Sequence, residues 1–501
     1  MVQFGSRPLP TSLRLAETGD KVSAAARLSM PGLALSRAVP TPFRQTPPSV
    51  QNSPTSSVRW MVPRSPGPTM RARALKALLV ASACTITLTG CPPPEDERVA
   101  EASRKLAEQL AQADSGATGS TPAPPKGAAG GETRLYVDAS RSMAGFVGCR
   151  TTETEFDQVL DRIATALEIT EVQLFGTTSP GVPLMEERKL DHSVHCPDTF
   201  RRLQNPDREL YAMMEADSTA RIHLYFSDGV QSDARAANPS ASVRELQRWL
   251  ANGRALAILA FRGRFSGEAW SEQRGAWMGP VDVPDRPFYV FVLAPSEKDV
   301  DETLAKLSPS LRPEATLRFP SAPFSCSIRR RVAAQRETSS PPWALVPPSV
   351  HRQMAENPAH VADYACTIRD GYPVRAVEAA LAANYRRWDG QDFGAEGAVP
   401  ESAMFTLGKP AQVATGAVTP LHGTVPHDQP GTLFGFYHLR LTPRRGVFTP
   451  ELESLSTDSD ADKAQFNRTY RFSWLVEHLV RSQFMRNPRS ASLFLTIQDG
   501  G

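Results

Sequence analysis

Hydrophobic and polar positions divide the chain into three textures. Residues 1–69 hold eleven prolines and no sustained period, so they offer no face to bury and are expected to be disordered. From Thr133 onward, short apolar runs alternate with stretches of helical spacing. Residues 134–137 read as a strand, and Phe156, Val159, Leu160, Ile163 and Leu167 then recur as one face of a helix. A second strand covers 172–175, and a polar, hairpin-prone stretch runs on to Asn205. A helix is predicted over 206–216, with Asn205 as its N-cap and Pro206 in its first position. Further strands fall at 222–226, 255–261 and 288–293, with a helix at 243–250. This alternation predicts a parallel sheet covered by helices on both faces, an α/β domain over residues 132–307.

Residues 308–501 follow a different rhythm. The pattern predicts a helix at 374–388, several short strands within 403–441, a helix within 466–484 that presents Trp474, Leu475, Leu479 and Val480, and a last strand at 492–497. The Pro-rich stretch 341–348 reads as a loop. Together these make a second, mixed β-rich α+β accessory domain.

Ahead of both domains, Arg71, Arg73 and Lys76 precede an apolar run at 77–88 that is too short to span a bilayer. It ends in Leu88-Thr89-Gly90-Cys91, which resembles a bacterial lipobox, so 70–90 looks like a lipoprotein signal peptide. The resemblance implies diacylglycerol on the Cys91 thiol and cleavage just before it. Pro92, rather than Asp, after the cysteine implies the outer membrane. Residues 1–69 are then a start misread upstream or an unusual extension. Residues 91–131 read as a lipidated tether. In it, 95–112 has helical composition with Val99, Leu106 and Leu110 on one stripe, a solvated spacer or else a coiled-coil partner. Residues 114–131 are a Gly/Ala/Pro-rich linker expected to lift the next domain off the membrane.

Charge supports this division. The formal total is +3, but residues 1–90 carry eleven basic and two acidic side chains, +9, leaving −6 for residues 91–501. An acidic body is a poor nucleic-acid binder, so no nucleic-acid partner is expected. No apolar run reaches the roughly 18 residues of a spanning helix. Of six cysteines, Cys84 leaves with the signal and Cys91 is acylated. In an oxidising compartment the remaining four fall regionally as Cys149–Cys196 and Cys326–Cys366, the expected pairing among three; four buried thiols are the alternative.

Two strand ends carry the candidate chemistry. Asp138-Ala139-Ser140-Arg141-Ser142-Met143 follows the first strand, and Ser227-Asp228-Gly229 follows the 222–226 strand. Both lie at the carboxyl edge of a parallel sheet, where open α/β folds bind ligands. Two carboxylates and two hydroxyls are hard oxygen donors suited to Mg²⁺. The D-x-S-x-S-M motif and the Asp228-Gly229 strand end, ninety residues apart, resemble a von Willebrand factor A (vWA) domain of Rossmann type over about 133–307. The resemblance implies a metal-ion-dependent adhesion site (MIDAS) at Asp138, Ser140, Ser142 and Asp228. It also implies an ion, Mg²⁺ or another divalent cation, whose open position accepts a carboxylate from a protein partner. The family's middle loop supplies a Thr before a helix; here Thr199 and Asn205 both compete for that place.

Other motifs are weaker. His192, His195 and Cys196 form an H-x-x-H-C run without an evident fourth zinc ligand, and it reads as a surface loop. There is no nucleophile elbow and no phosphate-binding P-loop. The expectation is therefore a non-enzymatic envelope lipoprotein that binds protein through a metal. A metal-free scaffold, or a hydrolase with a site in 308–501, are the alternatives.

Overall fold

A computed structural model of the chain describes residues 94–116, 131–149, 153–178, 182–200, 220–230, 241–332, 343–400, 403–425, 434–486 and 490–498. The predicted extension, the signal and the 206–216 helix lie outside these residues. Residues from Cys91 to Gly501 form one compact unit. No helix among the described residues is long and apolar enough to cross a membrane.

The first sheet has seven strands: β1 Glu132–Asp138, β2 Glu171–Thr178, β3 Val182–Lys189, β4 Ala220–Ser227, β5 Ala255–Ser271, β6 Ala276–Ala294 and β7 Ala315–Phe319, in the order 3-2-1-4-6-5-7. β1 runs parallel to both β2 and β4. The expected fully parallel sheet stops there. β3 returns antiparallel on β2, and β6 lies antiparallel between β4 and β5. The cause is the connection. With no helix between them, β5 and β6 can only fold back as a hairpin. The Asp460 carboxylate fixes its turn by accepting from the backbone N–H groups of Glu272, at 2.6 Å, and Gln273, at 3.0 Å. The polar residues between 262 and 287 hid this pairing from the pattern. The fold is α/β with a mixed sheet.

Strand period two splits the core into two layers. Leu135, Val137, Leu224 and Phe226 face the helices α2 (Glu155–Ala166) and α4 (Glu297–Leu307), while Tyr136, Tyr225, Tyr289 and Phe291 face α3 (Ala241–Ala251) and α6 (Phe472–Arg486); α5 is Pro348–Glu356. Thr154 opens α2 with a capping box to Asp157. α6 comes from the far end of the sequence, yet its Phe472 ring stacks on Tyr289 with centroids 4.1 Å apart. β7 likewise pairs with β5 beyond the expected boundary at 308. The accessory region therefore completes the first sheet's packing.

The rest of that region is β-rich, as expected, with two further five-stranded sheets and a short two-stranded pair of Ser456–Thr457 with Thr469–Tyr470. One sheet is built mainly from Phe324–Arg330, Ala359–Ile368, Gly416–Thr424 and Met404–Leu407. The other is built mainly from Val374–Arg387, Phe434–Phe448, Ala491–Gln498 and Trp343–Val346. Two expectations fail here. Residues 374–388 form a strand, not a helix, because they pair along Phe434–Phe448 from Val374 to Arg387; that long ladder overrides local spacing. The 341–348 stretch contains the strand Trp343–Val346, whose Trp343 Nε1 donates to Thr496 Oγ1 at 3.0 Å.

The predicted spacer is also not solvated. Helix α1 (Glu95–Gly116) buries Val99, Ser103 and Ala107 completely against Trp343, Trp388, Phe393, Phe434, Phe436 and Phe494. These three positions, four apart, leave room for a close approach to the aromatic sheet face, with Leu106 and Leu110 at the edge of the stripe.

Both expected disulfides are present, Cys149–Cys196 and Cys326–Cys366. The second joins paired positions on adjacent strands. The first closes a segment of 47 residues, for which chain entropy alone gives about 4 kcal/mol. Replacing Cys149 and Cys196 together by Ala is expected to lower unfolding free energy by about that amount in denaturant titrations. A loss below about 1 kcal/mol would mean the segment is already constrained in the unfolded chain.

Candidate functional site

Parallel pairing of β1 and β4 sets Val137 opposite Phe226, so Asp138 and Asp228 leave the same sheet edge on adjacent strands. Both carboxylates are buried, at 0% and 1% exposure. Asp138 Oδ1 accepts from the Ser140 backbone N–H at 2.8 Å, bending the chain immediately after the strand. Ser140 and Ser142 Oγ atoms then lie 2.9 Å apart, ahead of a short 3-10 turn at Met143–Gly145. Asp228 Oδ1 accepts from Val230 N–H at 3.1 Å.

Two glycines make this edge possible. Gly229 has φ +68°, and a Cβ there would sit 2.6 Å from the Tyr289 ring. At Gly145, a Cβ would fall 2.4 Å from Phe265. The outer part of the β5–β6 hairpin thus presses directly onto the serine turn. Arg141, between the two serines, reaches across to Glu268 and lies 4.4 Å over the Trp277 ring on the same hairpin.

Arg286 is the feature that sequence reasoning missed. Its guanidinium, 5% exposed, faces Asp228 Oδ2 with Nη2 at 3.5 Å and lies 4.2 Å over the Phe265 ring. Burial pushes its pKa down from the ordinary arginine value, against the pull of Asp228 and Asp460. Thr469 is the other addition. Its hydroxyl donates to the Asp228 carbonyl at 3.3 Å and accepts from Tyr289 Oη at 3.0 Å. Burial raises the Tyr289 phenol above its ordinary range. Neither Arg286 nor Thr469 belongs to a local motif; both arrive by strand pairing and long-range packing.

The donor set suits a hard divalent cation. Two carboxylates and two hydroxyls follow adjacent strand ends at one edge, and Asp228 Oδ2 is a buried oxygen that accepts no hydrogen bond among the described residues. Arg286 opposes this by supplying positive charge already. Of the two middle-loop candidates, Thr199 spends its hydroxyl proton on the Ser193 carbonyl at 2.7 Å, which leaves its oxygen lone pairs available. Asn205 lies outside the described residues.

The H-x-x-H-C run serves the fold. His195 is fully buried, with Nδ1 2.8 Å from Asp157 and Nε2 3.2 Å from Asp161, and so ties this turn to α2. His192 Nε2 lies 3.8 Å from both sulfurs of Cys149 and Cys196, but those sulfurs are bonded to each other, which removes the thiolates a metal would need.

Elsewhere, Asp114, His438 and Ser492 come together at the end of α1. Ser492 Oγ donates to Asp114 Oδ2 at 2.7 Å, and His438 Nε2 lies 3.1 Å from that hydroxyl. The hydroxyl proton is committed to the carboxylate, so the trio reads as a latch on α1 rather than an activated nucleophile. Burial lowers the His438 pKa, partly opposed by Asp114.

No family model, curated protein or solved structure matches this chain.

Proposed function

We propose that the chain is an envelope lipoprotein, anchored at Cys91 in the outer membrane, that binds protein through a divalent cation held in a vWA-like site. The observation that carries this reading is the pair of buried carboxylates, Asp138 and Asp228, beside two hydroxyls 2.9 Å apart on one sheet edge. Asp138, Ser140, Ser142 and Asp228 hold the ion, directly or through water. The ion, when bound, offers a coordination position to a partner's carboxylate.

The test is calorimetric titration of Mg²⁺ into residues 91–501 made with Cys91→Ser. Truncation near residue 115 would remove α1 from the core. Binding is expected in the parent and absent in Asp138→Ala. Equal affinity in both would remove the site assignment.

Arg286 favours a second reading, a metal-free scaffold in which the guanidinium takes the place of the cation. That reading predicts no Mg²⁺ or Mn²⁺ uptake by the parent at millimolar concentration.

A further inference from the structure

The placement of α1 bears on how the body meets the membrane. The helix begins at Glu95, four residues after Cys91. An extended chain spans at most about 3.6 Å per residue, so Cys91 and Glu95 are no more than about 14 Å apart. From Glu95 onward the helix is fixed to the second half of the body. Glu95 Oε1 accepts from Trp388 Nε1 at 3.2 Å, and Arg98 Nη1 donates to the Gly390 carbonyl at 3.4 Å. Ser103 Oγ accepts from Thr496 Oγ1 at 2.8 Å, and Asp114 closes the far end through Ser492.

The 117–130 linker therefore does not lie between membrane and body. Its flanks, α1 and β1, belong to the same compact unit. Only residues 91–94 separate the acylated cysteine from packed structure.

We propose that the loop 389–396, together with the first turn of α1, is a membrane-facing surface held against lipid headgroups by the Cys91 acyl group. The chemistry of the surface fits headgroups rather than hydrocarbon. Trp388 and Phe393 are turned inward, at 5% and 8% exposure, while Glu97, Arg98, Asp389, Gln391 and Asp392 are exposed. Asp96 and Glu396 are exposed as well, so carboxylates outnumber Arg98 and the face is acidic; with no outward apolar wedge it does not insert, and the acyl anchor, not charge attraction, keeps it at the bilayer surface. The proposal rests on acylation of Cys91, and the experiment reads that separately.

The acylated protein is reconstituted in phosphatidylethanolamine/phosphatidylglycerol vesicles carrying a headgroup acceptor dye, with a donor dye at Gln391→Cys. A second version carries a twenty-residue Gly/Ser insert between Pro94 and Glu95, which adds about 25 Å of root-mean-square reach outside the folded body. Energy transfer is expected to be strong in the first version and to fall at least about twofold in the second. Equal transfer with and without the insert would overturn the surface assignment, because the anchor would not be setting the distance. Intact mass of the purified chain reports acylation. A mass without diacylglycerol at Cys91 would overturn the anchoring reading and this inference with it, whatever the fluorescence shows.

Discussion

Replacing Arg286 by Met is expected to lower the unfolding free energy of the metal-free protein by about 3–5 kcal/mol, the ordinary cost of removing one partner from a buried ion pair. Arg286 is 5% exposed and faces Asp228, itself 1% exposed. Met retains much of the contact with Phe265, Phe146 and Phe466, so the loss isolates charge rather than volume. What remains is a buried Asp228 carboxylate without its cation. If the edge holds a divalent ion, Mg²⁺ should supply that charge. The variant should regain much of the lost stability in millimolar Mg²⁺ and bind the ion more tightly than the parent, as linkage between binding and folding requires. Denaturant titration with and without Mg²⁺ reads both effects. A variant destabilised equally in either condition would favour the metal-free scaffold. A variant as stable as the parent would show that the pair contributes nothing.

The second large effect concerns the junction between the two halves. Phe472→Ala is expected to cost about 3–5 kcal/mol, because the ring is fully buried and stacked on Tyr289 at 4.1 Å. The consequence extends beyond the cavity. Phe472 opens α6, which packs beside α3, where Gln247 Nε2 donates to the His478 carbonyl at 2.9 Å. Tyr289 in turn supports Gly229 and Thr469 behind Asp228. If residues 91–501 unfold as one unit, the substitution should move the whole transition, and Mg²⁺ affinity should weaken with it. Two separated transitions, with only the second displaced by Phe472→Ala, would restore the picture of independent domains split near residue 308.

Where the candidate residues fall in the fold was largely legible because it is local. Asp138, Ser140, Ser142 and the Asp228-Gly229 turn each follow an apolar run, and strand ends with short polar side chains announce themselves in sequence. The helices α2 and α3 were legible as periodic faces, and α2 carries a capping signal as well, whereas α4 was not foreseen. The cysteines fell into two regional pairs, and both bonds are present. What escaped was non-local. Spacing alone cannot say that 374–388 will find a partner strand in Phe434–Phe448, or that β6 will enter between β4 and β5. Small residues misled at α1. Ser103 and Ala107 look like the content of a solvated spacer, yet a small side chain is what lets a helix lie close on an aromatic sheet face.

The opening texture of the chain, alternating apolar runs and helical periods after residue 132, determined an α/β core and the sheet edge on which the two carboxylates sit. That information is carried by neighbours in sequence, where backbone geometry fixes which side chains share a face. Only the tertiary structure decided the charge at that edge, the direction of the outer strands and the seat of α1. Each depends on residues far apart in the chain: Arg286 against Asp228, Thr469 beneath Asp228, Trp388 against Glu95. Such contacts form because burial of apolar surface brings distant segments together, and the polar groups carried in with them must then pair with whatever they meet.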